Sequence, residues 1–201
     1  MNKKIAIVTG GTSGIGKATA LALRGAGYTI YEFSRREAGV EGLHHIRADI
    51  TDETQVRAAV QQVMDAEGQI DVVVNNAGFG ISGAVEFTDT ADAQRLFNAD
   101  FFGMVRVNRA VIAHMRAAGR GRIVNLSSVA GPLPIPFQTY YSAAKAAVNA
   151  YTMALANELR PFGITVCAVQ PGDIHTGFTA AREKTVTGDV KLKLYKGNMI
   201  N

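Results

Sequence analysis

Short apolar runs alternate with longer amphipathic runs along the chain, from residue 3 to residue 172. The apolar runs, among them "KIAIVTG", "IDVVVNNAG" and "GITVCAVQPG", are continuous rather than alternating. Strands of this kind are buried on both faces and need helices to cover them. The stretches between them, such as "TQVRAAVQQVMDAEG", have helical amphipathicity. The pattern therefore predicts a single α/β domain built on an open parallel sheet.

Two segments depart from this alternation. Only "REAGVEG" separates the second predicted strand from the third, which is shorter than a covering helix normally needs. We expect that part of the sheet to be bare. Residues 177–201 have no clear apolar period and are predicted to form a loosely ordered tail. The sequence thus divides into a domain over residues 1–176 and a short tail over residues 177–201.

Composition narrows the class of protein. The net charge is +4, but the Lys and Arg residues are scattered, which favours a solvated surface over a nucleic-acid interface. The lone Cys167 lies in an apolar run and is predicted to be a small core residue, as expected in a reducing compartment. No apolar run is long enough for a signal peptide or a membrane span. We therefore expect a cytoplasmic protein with no membrane, nucleic-acid or metal partner.

The stretch "VTGGTSGIGKAT", residues 8–19, nearly fits two phosphate-binding loops. The triphosphate loop G-x-x-x-x-G-K requires Ser or Thr next, where this chain has Ala18. The other interpretation is a strand turning into a helix whose amides face a pyrophosphate. In that loop Gly10 allows the turn, Gly14 allows the backbone to approach a phosphate, and Gly16 allows close packing. A tight turn without a ligand remains the alternative.

The second predicted strand ends in "EFSRR". In a dinucleotide fold, an acidic side chain at this place would bind the ribose 2′-hydroxyl of NAD. Here Ser34 is followed by Arg35 and Arg36, whose guanidinium groups match the 2′-phosphate of NADP. Two solvated arginines at a strand end are the alternative.

Later in the chain, "YYSAAKAAVNAYTMALANEL" places Tyr141 and Lys145 four residues apart, on one face of a helix. An ammonium beside a phenol stabilises the phenolate, so this tyrosine can exchange a proton with an alcohol oxygen. Tyr140 lies off that face and is assigned to packing. Ser127 and Ser128 end a buried strand, at the edge where such sheets bind ligands. Taken alone, these residues also fit a surface helix and a helix cap.

Taken together, these residues resemble the short-chain dehydrogenase/reductase family. The resemblance runs from Lys3 to Thr176 and favours the dinucleotide interpretation of the glycine loop. It rests on four motifs in the family's order: T-G-G-T-S-G-I-G (residues 9–16), N-N-A-G (residues 75–78), Y-S-A-A-K (residues 141–145) with Ser128 thirteen residues before Tyr141, and P-G-D-I-H-T (residues 171–176).

The resemblance implies a Rossmann-like, doubly wound parallel sheet of about six strands, and hydride transfer between a nicotinamide dinucleotide and a small carbonyl or alcohol substrate. Because Arg35 and Arg36 follow Ser34, we expect the dinucleotide to be NADP(H) rather than NAD(H). Tyr141 would be the acid or base, Lys145 would stabilise its anion and hold the nicotinamide ribose, and Ser128 would hydrogen-bond the substrate oxygen. The expected cofactor contacts are Gly10, Thr12, Ser13, Gly14, Ile15, Gly16, Ser34, Arg35, Arg36, Asp49, Ile50, Asn76, Ala77, Gly78, Tyr141, Lys145, Pro171, Gly172, Ile174 and Thr176.

Two features depart from the family pattern. In the family's N-x-x-G motif, the Asn binds a water that relays protons from the Lys. This chain has "DFFG" instead, so Asp100 is the expected catalytic residue of the relay. Asp100 can accept a hydrogen bond from that water and attract Lys145, but it cannot donate as an amide does. From their sequence pattern, residues 177–201 are also not expected to form the family's substrate lid, last strand and last helix. A cofactor-binding relative without turnover is therefore the alternative function.

The same resemblance implies an assembly. Residues 90–119 and 141–163 are expected to pair with their copies about a twofold axis. Their surplus apolar surface includes Phe97, Phe101, Phe102, Met104 and Val105. The family tetramer also uses the last strand and helix, so we expect a homodimer, with a tetramer as the alternative.

Overall fold

The apolar runs form the strands of one parallel sheet, and the amphipathic runs form the helices. The structure is a computed structural model that describes residues 3–174 and the backbone of residues 183–184. The strands are Lys4–Thr9 (β1), Tyr28–Ser34 (β2), His44–Arg47 (β3), Val72–Asn75 (β4), Ile81–Ser82 (β5), Gly121–Leu126 (β6), Ile164–Val169 (β7) and Glu183–Lys184 (β8). The α-helices are Gly14–Gly25 (α1), Glu53–Glu67 (α2), Thr90–Phe97 (α3), Met104–Ala118 (α4) and Thr139–Leu159 (α5).

Six strands form the main sheet in the order β3-β2-β1-β4-β6-β7, and every neighbouring pair is parallel. This confirms the predicted doubly wound α/β fold. The strand order reverses between β1 and β4, where open α/β sheets bind their ligands beyond the carboxyl ends of the strands. The glycine loop after β1 and the N-N-A-G motif after β4 therefore meet at this switch point.

Both faces of β1 are buried, as its continuous apolar run predicted. Ile5 and Ile7 face the larger core, and Ala6 and Val8 face the smaller one; all four have no exposed surface. The larger core packs the sheet against α2, α4 and α5, and the smaller core packs it against α1. The predicted thin crossover is also confirmed, because residues 35–43 join β2 to β3 without a helix.

Cys167 corrects one sequence prediction. It is exposed rather than a core residue, because side chains along β7 alternate between the covered and the uncovered face of the sheet. Ile164 is buried in the larger core, whereas Val169 is 44% exposed on the other face. Among the described strands β7 pairs with β6 alone, so it is an edge strand with only one face packed.

The predicted helical stretch over residues 90–119 is divided into three parts. A π-helical turn, Asn98–Gly103, joins α3 to α4, and such turns are frequent at functional sites. The turn contains Asp100, which is 3% exposed. Met104, expected on the apolar surface, is instead buried at 5% exposure, because α4 begins there and turns this side chain inward.

A buried polar network lies behind the carboxyl edge of the sheet. Asn75 Nδ2 donates to Asn108 Oδ1 at 2.7 Å and to Asn125 Oδ1 at 2.9 Å. Asn125 Nδ2 donates to Thr152 Oγ1 at 3.0 Å. These residues come from β4, α4, β6 and α5, and unpaired buried amides would be costly. The network therefore ties β4 and β6 to α4 and to α5, the helix that carries Tyr141.

Among the described residues, no helix combines the length and the apolar character that crossing a bilayer requires.

Candidate active site

The glycine loop between β1 and α1 has the conformation and the close contacts that its sequence predicted. Gly10 and Gly14 have φ values of 68° and 54°, which side chains disfavour. A Cβ on Gly16 would lie 2.4 Å from the Gly10 carbonyl oxygen. Ser13 precedes α1, and its side chain makes no capping hydrogen bond to the helix. The first amides of α1 are therefore left to other acceptors, as an anion site requires.

The N-N-A-G motif is tied to this loop through Thr9. Thr9 Oγ1 accepts hydrogen bonds from the backbone amides of Asn76 and Ala77, each at 3.0 Å. Asn76 Nδ2 donates to the carbonyl oxygens of Thr9 at 3.0 Å and Gly10 at 3.3 Å. The two motifs thus form one wall of the site. The sequence alone gave no role to Thr9, although Thr9 is the first residue of the T-G-G-T-S-G-I-G motif.

The end of β2 carries the residues expected at the adenosine ribose. Arg35 and Arg36 are exposed, and within the described structure the buried Ser34 Oγ has no hydrogen-bond partner. A buried hydroxyl without a partner is costly, so it fits the polar contact expected there. Asp49 is engaged locally, since its Oδ1 accepts from Thr51 N at 2.9 Å and Thr51 Oγ1 at 2.8 Å.

Ile50, the other predicted adenine contact, is 9% exposed and belongs to the larger core. A Cβ on Gly103 would lie 2.5 Å from Ile50 Cδ1. The side chain therefore packs against the turn that carries Asp100. Thr12 and Ile15 lie in the glycine loop and the first turn of α1, as expected from the motif.

Two of the predicted catalytic residues, Asp100 and Tyr141, lie close to a third, Lys145. Lys145 Nζ is 3.0 Å from Asp100 Oδ2 and 5.5 Å from the centroid of the Tyr141 ring. It also donates to the carbonyl oxygen of Leu126 at 3.1 Å. Lys145 is 6% exposed and Tyr141 is 8% exposed. The ammonium is therefore fixed by buried partners at the carboxyl edge of the sheet.

The serine pair after β6 divides into two roles. Ser127 Oγ donates to the Lys145 carbonyl oxygen at 3.1 Å, which ties β6 to α5. Ser128, the predicted substrate contact, accepts at Oγ from Ala130 N at 3.1 Å and is 9% exposed. Its O–H is thus the group still able to donate toward a ligand. Tyr140 is partly buried and packs at the rim of the cluster around Tyr141, as assigned from its spacing.

Asp100 is held from two sides. Its Oδ1 accepts from the backbone amide of Phe79 at 2.9 Å, and its Oδ2 faces Lys145. A Cβ on Gly78 would lie 2.9 Å from both carboxylate oxygens, so N-N-A-G packs directly on this carboxyl group. Burial raises the pKa of Asp100, although the Lys145 ammonium and the Phe79 amide oppose that shift. The attraction between Asp100 and Lys145 that the sequence suggested is present as an ion pair.

We expect Asp100→Asn to change stability in a pH-dependent manner. The pKa of Asp100 is higher in the folded protein than in the unfolded chain. At pH values between these two pKa values, Asp100 of the folded wild type holds a proton that the unfolded chain has released. Its free energy of unfolding therefore falls with rising pH, relative to the variant, which cannot titrate there.

Urea unfolding of both proteins from about pH 4 to about pH 8 measures this difference. The exposed Asp89, changed to Asn, is the control and should give a nearly constant difference. A wild-type advantage that grows with pH would instead show that Lys145 lowers the pKa of Asp100.

The P-G-D-I-H-T motif follows β7 at the same edge. The Pro171 carbonyl oxygen accepts from Val129 N at 3.1 Å, which joins the motif to the serine loop. Gly172 is exposed, and Ile174 is 51% exposed. Thr176, the last predicted cofactor contact, lies outside the described residues.

Comparison with known proteins shows the family of this chain. A profile of the short chain dehydrogenase family matches residues 4–187. The 3-ketodihydrosphingosine reductase of Bacteroides thetaiotaomicron is 44% identical over 185 residues, which cover 90% of this chain and 68% of that protein. A probable short-chain type dehydrogenase/reductase of Helicobacter pylori is 32% identical, over 87% of this chain and 66% of that protein. The chain thus spans two thirds of the length of such relatives.

Solved structures share the fold. A short-chain dehydrogenase from Streptomyces avermitilis has a TM-score of 0.88 at 34% identity, over 96% of this chain and 75% of that chain. ElxO with NADP bound has a TM-score of 0.84 at 29% identity, over 99% and 81%. A 3-ketoacyl-(acyl-carrier-protein) reductase from Brucella melitensis, complexed with NADH, has a TM-score of 0.85 at 29% identity, over 89% and 79%. Profile, relatives and fold agree, and the chain belongs to the short-chain dehydrogenase/reductase family.

Proposed function

We propose that this protein reduces a carbonyl compound, or oxidises the corresponding alcohol, with NADP(H) as the cofactor and Tyr141 as the acid or base. The observation that carries the proposal is the buried position of Lys145 between Asp100 and the Tyr141 ring. Lys145 is tied to the carbonyl oxygen of Leu126 at the end of β6, two residues before Ser128. This is the carboxyl edge of the sheet, where α/β folds bind their ligands. Residues 1–176 are proposed to form the cofactor-binding and catalytic domain.

The glycine loop, the end of β2 and the N-N-A-G motif supply the residues that would hold the dinucleotide. The close contacts at Gly16 and the unpartnered Ser34 hydroxyl fit such a ligand. When bound, the nicotinamide ring donates or accepts a hydride. The protein's own part is to bind the cofactor, orient the substrate oxygen and move one proton.

The proton step belongs to Tyr141. Its hydroxyl donates a proton to the substrate oxygen during reduction and takes it back during oxidation. Lys145 stabilises the phenolate through its positive charge, and its hydrogen bond to Leu126 holds it in place. Ser128 donates a hydrogen bond to the same substrate oxygen and fixes its position. Each group acts within the buried edge, where electrostatic interactions are stronger than in water.

Asp100 is the proposed end of the proton relay. It occupies the place where the family pattern has Asn, and its ion pair with Lys145 holds the ammonium group in position. The carboxylate can accept a hydrogen bond from a relay water, whereas Asn could also donate one. The relay in this protein therefore depends on a charge as well as on a hydrogen bond.

NADP(H) is proposed over NAD(H) on the strength of three residues at the end of β2. Arg35 and Arg36 offer charged, bidentate donors to a 2′-phosphate, and Ser34 replaces the acidic residue that would bind a free ribose hydroxyl. Structural neighbours have been solved with either dinucleotide, as in ElxO with NADP and the Brucella melitensis reductase with NADH. The preference is therefore a property of this chain's own β2 end.

The proposed substrate class is a ketone. A 44% identical relative is named 3-ketodihydrosphingosine reductase. Loss of NADPH absorbance in the presence of 3-ketodihydrosphingosine, a 3-ketoacyl thioester and simple ketones tests the proposal. Oxidation of NADPH by at least one of these compounds, and slower oxidation of NADH, is the expected result.

A second candidate function, a cofactor-binding protein without turnover, is favoured by the Asp100–Lys145 ion pair. A carboxylate that holds the ammonium competes with Tyr141 for its charge. NADPH binding by calorimetry, without oxidation by any compound in the panel, would support this function. Restored turnover in Asp100→Asn would then identify the ion pair as the cause.

We also propose a homodimer formed through α4 and α5. Phe102, beside α4, is 47% exposed and Met153, on α5, is 71% exposed; such surface commonly marks an interface.

Light scattering is expected to give twice the chain mass of 21.4 kDa. Met153→Glu should yield monomer, whereas Leu133→Glu, at a site 69% exposed outside α5, should not. A monomeric wild type would exclude the dimer, and a tetramer would require a second interface.

A further inference from the structure

A fully buried carboxylate lies beneath the glycine loop and takes no part in the proposed proton step. Glu32 is in the middle of β2, and its side chain has no exposed surface. Its register partner on the neighbouring strand β3 is His45, and Glu32 Oε1 hydrogen-bonds His45 Nδ1. Acidic residues are almost never fully buried unless they are paired. This pair therefore needs a role that offsets its burial.

The Glu32–His45 pair is hydrogen-bonded to the backbone at Arg36. His45 Nε2 lies 3.0 Å from the carbonyl oxygen of Arg36, and because a carbonyl only accepts, Nε2 carries the hydrogen. Nδ1 then faces the Glu32 carboxyl group. His45 thus connects a buried acid to the peptide group that follows Arg36.

Two glycines let the backbone pack directly against the pair. A Cβ on Gly39 would lie 2.5 Å from His45 Cβ and 3.2 Å from Glu32 Oε1. A Cβ on Gly11 would lie 2.7 Å from Glu32 Cβ. The carboxylate is therefore enclosed between the glycine loop on one side and the β2–β3 connection, residues 35–43, on the other. These are the two segments proposed to hold the phosphates of NADP(H).

We propose that Glu32 and His45 are positioning residues for 2′-phosphate recognition. They hold the β2–β3 connection, which has no helix of its own, so that Arg35 and Arg36 are presented beside Ser34. This inference rests on the proposed NADP(H) preference and names the element that maintains it. A preformed arginine pair loses less conformational freedom on binding, and this raises affinity for the ligand that it contacts.

The test is calorimetric titration of His45→Ala with NADPH and with NADH. We expect about a tenfold loss of NADPH affinity and about a twofold change or less for NADH. His44→Ala is the matched control: it changes the neighbouring histidine of β3, which stacks on Tyr31 with ring centroids 4.7 Å apart. Equal losses for both cofactors in His45→Ala, or an equal loss of selectivity in His44→Ala, would overturn the positioning role.

Glu32→Gln is the conservative rescue. A Gln amide can donate to neutral Nδ1 while Nε2 keeps its bond to Arg36, so NADPH affinity should stay within about twofold of wild type. A loss as large as that of His45→Ala would overturn the anchoring argument.

Hydrogen–deuterium exchange without any cofactor separates this inference from the proposed function. Faster exchange over residues 35–43 in His45→Ala, but not in His44→Ala, is expected from anchoring alone. Unchanged exchange would overturn the anchor even if wild type prefers NADPH. A wild type that binds NADH as tightly as NADPH would overturn the NADP(H) proposal and, with it, the recognition role, whatever the exchange result.

Discussion

Tyr141→Phe is expected to lower kcat by about a thousandfold, because it removes the proton donor and acceptor of the proposed reaction. The ring packs with Leu96, Ala130 and Ala144 in a buried cluster, and Phe fills the same space. Lys145 keeps its contacts with Asp100 and Leu126, which do not involve the hydroxyl. Affinity for NADPH should therefore change by about twofold or less. Steady-state oxidation of NADPH and calorimetric titration measure the two effects separately.

The neighbouring tyrosine provides a close control. Tyr140→Phe also removes a phenol hydroxyl, from a side chain that packs at the rim of the same cluster. The kcat of this variant should stay near that of wild type. Full activity in Tyr141→Phe would contradict the assignment of the acid. If activity instead disappeared in Tyr140→Phe and survived in Tyr141→Phe, the wrong tyrosine would have been assigned.

Arg35→Ala is expected to weaken NADPH binding roughly ten- to a hundredfold, because each charged hydrogen bond to the 2′-phosphate contributes about 1.5 to 3 kcal/mol. NADH lacks that phosphate, so its affinity should change little. The side chain is exposed at the end of β2, and its removal should leave the free energy of unfolding within about 0.5 kcal/mol of wild type. Calorimetric titration with both dinucleotides gives the ratio of affinities.

Arg116→Ala controls for the loss of one positive charge. Arg116 is in the last turn of α4, where it lies over the Phe162 ring at 5.9 Å, close to the start of β6 at the opposite edge of the sheet. This variant should keep the NADPH preference. Equal weakening of both dinucleotides in Arg35→Ala would assign Arg35 to a shared part of the cofactor rather than to the 2′-phosphate.

Hydrophobic patterning predicted the main sheet because a strand that is buried on both faces needs apolar residues at every position. Every residue of β1 from Ile5 to Val8 is apolar. It failed at Cys167 because β7 has the same kind of sequence but a different place in the sheet. Whether an apolar strand is central or at an edge depends on strand order, which a local pattern does not contain. The division of residues 90–119 by a π-helical turn was likewise invisible in the sequence.

The glycine loop and the Tyr141–Lys145 spacing were determined by the sequence itself, since both depend on residues within one turn or one loop. Only the tertiary structure decided that Asp100 and Lys145, 45 positions apart, lie 3.0 Å from each other. The same holds for Glu32 and His45, which become partners through the register of β2 and β3. Burial makes these pairings strong, because a charge or proton removed from water depends on the few groups within reach. Which groups those are is set by how strands and helices pack, and that is a property of the whole fold.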